Sequence, residues 1–474
     1  MPLPDHLVTA LHATLPAACI VTDPDRLAAL LQEERGLFSG KAQLAILPSS
    51  TEELSRAVQI CAKQNVPLVP QGGNTGLVGG AVASMSEVLV CMKRMNTIRT
   101  VDAVNYTMTV DAGVILADIQ KAAAEAGCLF PLSLGAEGSC TIGGNIASNA
   151  GGIGVLKYGN TRELTLGLEV VLPDGQVWNG MRALWKDNSG FALKHLFIGS
   201  EGSIGFVTAA TLKLFPAVAE TQTAFCALPS VEAALALLSM ARRMSGDQVT
   251  AFELLSDFAC SIVCDHAGGQ FPLDAHAPWY ALIEFSTSRA NSDLRALFET
   301  VLEAAFEDGI VSDAVVSSSL DQTGRLWVLR ERIPEAQKLA GGSIKHDISV
   351  PVSKIPEFIS RASQSVETFI PGIRLCAFGH LGDGNIHFNF SQPESMSKVA
   401  FLEQWDSVNS LVYNIVRELN GSISAEHGIG LLKVAEIDNY RSEIETSLNQ
   451  QLKATFDPTG VMNPGKFVSV PPSE

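Results

Sequence analysis

Two histidines, His380 and His387, flank the turn Gly382-Asp383-Gly384-Asn385. Cys376 to His380 reads as a strand, and Ile386-His387-Phe388-Asn389-Phe390 alternates strictly. In a strand, side chains point to opposite faces with a period of two. Ile386, Phe388 and Phe390 therefore share one face, and His387 and Asn389 the other. Downstream, Glu426-His427-Gly428 lies in a glycine- and serine-rich stretch. His380, His387 and Glu426 make a nitrogen, nitrogen, oxygen set that suits Zn²⁺ or Mn²⁺ and leaves positions for a substrate. A lone strand histidine is more often a satisfied core or surface group, and the gap from 387 to 426 is longer than in standard zinc motifs. Spacing alone leaves both readings open.

Two cations stand in unusual company. Arg330 sits in the apolar run Trp327-Val328-Leu329 at what reads as a helix start, and its planar fork matches both oxygens of a carboxylate. The bland alternative is a surface Arg330–Glu331 helix. Lys345 lies in the strand-like run Ser343 to Val350 and shares a face with Asp347, so a simple Lys345–Asp347 pair is the alternative there.

Three glycine-rich segments precede this chemistry. Val66 to Pro70 reads as a strand running into Gln71-Gly72-Gly73-Asn74-Thr75-Gly76, with Gly79 and Gly80 close behind. Gly135 to Gly154 is a long loop dense in Gly, Ser, Thr and Asn, and Gly199-Ser200-Glu201-Gly202-Ser203-Ile204-Gly205 is a third. Glycine admits positive φ and lets an anion approach backbone N–H groups, so two such loops could hold a diphosphate. Neither a G-x-G-x-x-G before a helix nor a G-x-x-x-x-G-K-[ST] occurs, which excludes the dinucleotide fingerprint and the P-loop. Each loop alone could be only a tight turn.

The elements that would position these residues follow from periodicity. Ser50 and Glu53 have capping-box spacing before the face Leu54, Ala57, Val58 and Cys61. Ile115 to Ala126 reads as a helix, and Leu166 to Leu172 and Phe206 to Phe215 as strands. Beyond Pro216 the glycine loops stop. Helices at 231–244 and 292–308 then alternate with strands at 280–286, 344–350, 376–379 and 385–390, and helices at 397–418 and 434–456 close the chain. The 474 residues are 46% hydrophobic and 18% charged, enough for large cores, and the net charge of -17 argues against nucleic-acid binding. Nine scattered cysteines read as buried free thiols. No run of about 18 apolar residues and no signal peptide is read, so a soluble cytoplasmic protein is expected.

The segments Pro70 to Gly76, Gly143 to Gly152 and Gly199 to Gly205 resemble the FAD-binding domain of the vanillyl-alcohol oxidase superfamily. His380-x-Gly-Asp-Gly-Asn-x-His387 with Glu426-His427-Gly428 is similar to the signature of its D-2-hydroxyglutarate and D-lactate dehydrogenase branch. The resemblance runs from about Leu47 to Lys466 and implies an α+β protein. A two-subdomain FAD-binding domain (1–216) would be followed by an α+β substrate or cap domain (217–420) and a C-terminal helical segment (421–474) that returns to the flavin.

By the same resemblance, FAD would lie against Pro70, Gln71, Gly72, Gly73, Asn74, Thr75, Gly76, Gly135, Ser139, Thr141, Gly144, Asn145, Asn149, Gly151, Gly152, Glu201, Ile204 and Asn463. Gln71 stands in the first loop, without a histidine, so non-covalent FAD is expected. His380, His387 and Glu426 would bind the divalent metal, Zn or Mn, and His427 would be the base. Arg330, Lys345, Asn389 and His427 would bind substrate. A second cation, Lys345, suits a diacid, because a monoacid would leave it buried without a counter-ion. The expected reaction is oxidation of a D-2-hydroxy acid, D-2-hydroxyglutarate first, to the 2-oxo acid, with hydride transfer to flavin N5. Pro334 departs from the pattern, since 2-hydroxyglutarate members carry a hydroxyl residue there. D-lactate or glycolate oxidation, or a flavin electron-transfer subunit, are the alternatives. Expected partners are an electron acceptor such as electron-transfer flavoprotein or a quinone, the latter with peripheral membrane attachment, and a second copy of the chain in a homodimer.

Overall fold

The computed structural model describes residues 3–33 and 35–469; the remaining residues of the outer segments read above lie outside this range. The chain forms two compact units, one of residues 1–151, 159–217 and 426–474, the other of 152–158 and 218–425. The α+β class expected from the sequence holds in both.

In the first unit, strands β1 (Ile20–Val21), β2 (Ala45–Ile46), β3 (Leu68–Gln71) and β4 (Val88–Cys91) form a sheet in the order β1-β2-β4-β3. β4 lies between two parallel neighbours and is buried throughout, which is why Val88-Leu89-Val90-Cys91 is an unbroken apolar run. Strands β5 (Ile98–Asp102), β6 (Thr107–Asp111), β8 (Thr165–Val171), β9 (Val177–Asn179) and β10 (Phe206–Lys213) form an antiparallel sheet in the order β5-β6-β10-β8-β9. Short strands β7 (Cys128–Leu129) and β11 (Phe215–Pro216) pair separately. The tail returns beside β3, where Leu68 N donates to Val461 O at 2.7 Å and Asn463 N to Leu68 O at 2.8 Å.

The second unit is built on one antiparallel sheet. Strands β12 (Glu220–Leu228), β13 (Val249–Ser256), β14 (Trp279–Thr287), β15 (Asp313–Val316), β16 (Ser343–Ile344), β17 (Asp347–Ser349), β18 (Arg374–His380) and β19 (Asn385–Ser391) run in the order β15-β12-β14-β13-β18-β19-β16, with β17 also on β19. Helices Asp257–His266, Leu320–Glu331 and Ile333–Leu339 cover one face through a core that includes Leu255, Tyr280, Leu329, Ile333 and Phe378. Helix Ile355–Phe369 covers the other, with the Phe358 and Phe388 rings 4.8 Å apart.

Several elements differ from the sequence reading. The helix Thr51–Lys63 buries the expected face and is capped by Ser50, but Glu53 turns back to Ser49 N (2.7 Å), so only one arm of the capping box forms. The glycine-rich loop 135–154 contains a helix, Ile142–Ser148, and residues 152–158 pack in the second unit. The strand read over 344–350 is broken between β16 and β17, because His346 N donates to the Asn389 side chain (3.0 Å) and a ladder bond is replaced. Arg330 lies in the last turn of its helix, which Ser319 caps at the other end. The two closing helices are four shorter ones: 398–402, 405–418, 434–440 and 443–456, the last capped afresh by Ser442.

Gly143 sits inside helix Ile142–Ser148, where alanine would ordinarily be favoured by about 1 kcal/mol. Here a Cβ would fall 2.6 Å from Ala112 Cβ and 2.9 Å from Ala112 O. Gly143→Ala should therefore destabilise the chain by roughly 1–3 kcal/mol. Thermal unfolding checks this, and an unchanged or raised midpoint would contradict the close packing.

Candidate functional site

The register of the second unit's sheet gathers the polar residues. Directly opposite residues in an antiparallel pair share a face. Asp347 pairs with His387, His387 with Phe378, Cys376 with Asn389, and Glu253 with His380. Asp347, His387, Asn389, His380 and Glu253 therefore lie on one face, as the alternation read at 386–390 requires. The His380 and His387 rings are 6.1 Å apart, and His387 lies 4.9 Å from the Phe378 ring. The turn between the strands is tight: Gly384 has φ +89°, and a Cβ there would meet Val350 O at 2.3 Å. Asp383 Oδ1 accepts from Asn385 N at 3.0 Å and closes the turn.

Glu253 was not found from sequence. Its carboxylate is fully buried, with Oε1 2.5 Å from His380 Nδ1 and Oε2 accepting from Arg330 Nε at 2.5 Å. Burial alone would raise its pKa, but His380 and Arg330 outweigh burial and hold it at about 2. The bond at Nδ1 assigns any metal coordination by His380 to Nε2. Arg330 spends only Nε on Glu253, so its terminal nitrogens can meet a second carboxylate. Its guanidinium lies over the Phe378 ring, 4.8 Å from the centroid, in a cation–π contact. The available signal was an acidic residue inside the buried run Thr250 to Leu255, since an ionised group so placed must be paired.

Lys345 is half-buried in the break between β16 and β17. Asn389 is buried and works internally: Oδ1 accepts from His346 N, and Nδ2 donates to Gln337 Oε1 at 3.1 Å. Asp347 accepts from Asn385 Nδ2 at 3.0 Å. Pro334 occupies the first turn of helix Ile333–Leu339, where its missing N–H costs nothing.

Glu426 and His427 belong to the first unit. The preceding residue, Ala425, is the last of the second unit and donates its N–H to Asp347 O at 3.2 Å. On the other side, both oxygens of Glu201 accept backbone N–H bonds, from Ile429 at 2.6 Å and Gly430 at 2.8 Å. Gly428 has φ +82° and would place a Cβ 2.6 Å from Glu201 Oε1, so only glycine fits this turn.

The glycine loops of the first unit converge. Gly72 and Gly73 lie against the segment Ser139 to Thr141: a Cβ on Gly73 would meet Ser139 O at 2.3 Å, and one on Gly72 would meet Thr141 Oγ1 at 2.4 Å. Glu201 N donates to Ala147 O (2.8 Å), bringing the third loop to helix Ile142–Ser148. Asn463, at φ 44°, donates to Gly80 O (3.2 Å) and Glu201 O (2.9 Å), so the tail ties the first and third loops. Lys466 Nζ donates to Asn463 Oδ1 at 2.7 Å, and burial lowers its pKa to about 8. Among the described residues, Gln71 Oε1, Thr141 Oγ1 and Asn145 Oδ1 are buried without a hydrogen-bond partner. Gly76, Gly135 and Gly138 border open space. A packed floor with unmet polar atoms beside open space fits an extended polar cofactor. Of the other expected contacts, Pro70 lies on β3, Asn74 donates to Gln32 O (2.7 Å), Asn149 is the left-handed cap of helix Ile142–Ser148, Gly151 ends the first stretch of the unit, and Ile204 is buried. Gly152 falls in the second unit.

The family of FAD linked oxidases matches residues 218–467 by its C-terminal domain, and an FAD binding domain matches residues 42–180. A protein of Xanthomonas citri pv. viticola named D-2-hydroxyglutarate dehydrogenase is 38% identical over 464 residues, covering 98% of this chain and 97% of its own. A mitochondrial protein of Schizosaccharomyces pombe carrying the name D-lactate dehydrogenase is 37% identical, covering 94% of this chain and 86% of its own. Among solved structures, p-cresol methylhydroxylase superposes with a TM-score of 0.75 at 15% identity, covering 98% of this chain and 96% of its own, which shows a shared fold.

A buried N–H that loses its hydrogen-bond partner costs about 1–3 kcal/mol. Glu201→Ala should therefore speed amide exchange at Ile429 and Gly430 by roughly tenfold or more. Exchange mass spectrometry over 426–432 reads this, and unchanged protection there would mean that Glu201 does not hold the segment.

Proposed function

We propose, from the premise that this chain belongs to the family of FAD-linked oxidases and to its D-2-hydroxy acid dehydrogenase branch, that it oxidises D-2-hydroxyglutarate to 2-oxoglutarate. The observation that carries the substrate class is Arg330, a guanidinium held over the sheet face that bears His380 and His387.

In this proposal the loops around Gly72, Thr141 and Asn145 hold FAD, which supplies the two-electron acceptor. The buried Cys140, whose thiol burial pushes up, supports non-covalent attachment. His380, His387 and Glu426 hold a divalent ion, Zn or Mn, which supplies Lewis acidity toward the hydroxyl oxygen. Arg330 takes the C1 carboxylate through its terminal nitrogens and so orients C2. His427 accepts the hydroxyl proton as C2 gives up its hydride. Lys345 neutralises the distal carboxylate. Asn389 supports the break that presents Lys345, and any direct contact with substrate would use its remaining N–H. Glu201, a proposed cofactor contact, also accepts the backbone N–H groups of Ile429 and Gly430 in the segment after His427.

Electron-transfer flavoprotein or a quinone as acceptor, a homodimer, and cytoplasmic residence complete the proposal. No helix among the described residues is long and apolar enough to cross a membrane. The second reading, D-lactate oxidation, is favoured by the similar identity of the Schizosaccharomyces pombe relative and by Pro334.

Purified, FAD-loaded protein mixed anaerobically with D-2-hydroxyglutarate, D-malate and D-lactate should lose its flavin absorbance fastest with the first. Faster bleaching by D-lactate would select the second reading. Lys345→Ala should lower kcat/KM for D-2-hydroxyglutarate by roughly 100-fold, the size of about 3 kcal/mol, and for D-lactate by less than about tenfold. Equal losses would remove Lys345 from specificity. His427→Ala should abolish flavin reduction while retaining FAD, and wild-type reduction would discard it as the base.

A further inference from the structure

We propose that Glu253 is a positioning residue serving two partners at once: it sets the nitrogen that His380 turns to the metal and the fork that Arg330 turns to the substrate carboxylate. The inference rests on the hydroxy-acid reading above.

Four observations carry it. The ladder places Glu253 directly opposite His380, so their contact follows from register and not from a chance rotamer. Each carboxylate oxygen has its own partner, Oε1 toward His380 Nδ1 and Oε2 toward Arg330 Nε, both at 2.5 Å. The side chain has no exposure, so water cannot replace either partner. The helix bearing Arg330 is pinned one turn earlier, where Trp327 Nε1 donates to Glu284 Oε2 at 3.2 Å, and the Phe378 ring lies under the guanidinium.

The two oxygens of one carboxylate are rigidly related, so the imidazole and the guanidinium are held in fixed relation through them. That relation matters for a 2-hydroxy acid, whose hydroxyl and carboxylate sit on adjacent carbons. A carboxylate can accept from both donors. A neutral amide can accept from one only, and its NH₂ group then faces the other donor. Facing His380, it would favour the tautomer with its proton on Nε2, the nitrogen a metal needs. Facing Arg330, it would displace the guanidinium.

The test uses the FAD-loaded full-length chain with Glu253→Gln, Glu253→Asp and Glu253→Leu. Zn²⁺ affinity is read by competition with a chromophoric chelator, KM by initial rates with D-2-hydroxyglutarate, and folding by thermal unfolding and FAD content. Loss of an outer partner of a metal-binding histidine typically costs 10–100-fold in affinity. Glu253→Gln should lose at least about tenfold in Zn²⁺ affinity or in KM, Glu253→Leu should lose both, and Glu253→Asp should recover part of what Gln loses. A folded Leu variant that loses only one property, or neither, overturns the shared role. If the Leu variant does not fold, a Gln variant with both properties within threefold of wild type overturns it. Failure of the underlying reading looks different: wild-type protein would itself hold no Zn²⁺, and no 2-hydroxy acid would bleach its flavin.

Discussion

A carboxylate with no solvent exposure must be paired at both oxygens or lose several kcal/mol of solvation. Glu253 meets that demand with an imidazole on the neighbouring strand and a guanidinium from a helix above the sheet. Much of the second unit follows from this arrangement. The strand pair β18–β19 must hold its register, because a slip of β19 by one residue would turn His387 and Asn389 into the apolar layer now filled by Phe388 and Phe390. The helix Leu320–Glu331 must end where it does, so that its last turn brings Arg330 to the same carboxylate.

The first unit answers a different constraint, close approach of backbone to backbone. Gly72 and Gly73 press against Ser139 to Thr141 at distances that no Cβ allows. The polar atoms left unmet there are the counterpart of that packing, since a floor built to receive a ligand keeps hydrogen-bonding capacity for it. Asn463 and Glu201 extend the network to the segment after His427 within the same unit. Cofactor loops and the segment bearing the proposed base thus share one set of hydrogen bonds.

Period and punctuation carried much of this in the sequence. The alternation at 386–390 predicts the two faces of β19 correctly, because every second residue must be apolar against the Phe358 helix. The glycine loops are legible because their residue types have few other uses. What stayed hidden depends on contacts distant in sequence. Glu253 lies 127 residues from His380, and only the ladder joins them. The break at Lys345 depends on the Asn389 side chain reaching His346 N across the sheet. The apolar run Trp327 to Leu329 looks the same at either end of a helix, and the cap at Ser319 is what places Arg330 in the last turn and not the first.

The divalent ion proposed for the face bearing His380 and His387 would be held through imidazole nitrogen and carboxylate oxygen. X-ray absorption at the zinc edge of Zn²⁺-loaded protein tests it most directly. Nitrogen and oxygen ligands are expected at about 2.0–2.1 Å, with the outer-shell scattering of two imidazoles and no sulfur. A sulfur shell at about 2.3 Å, or a spectrum without histidine scattering, would contradict it.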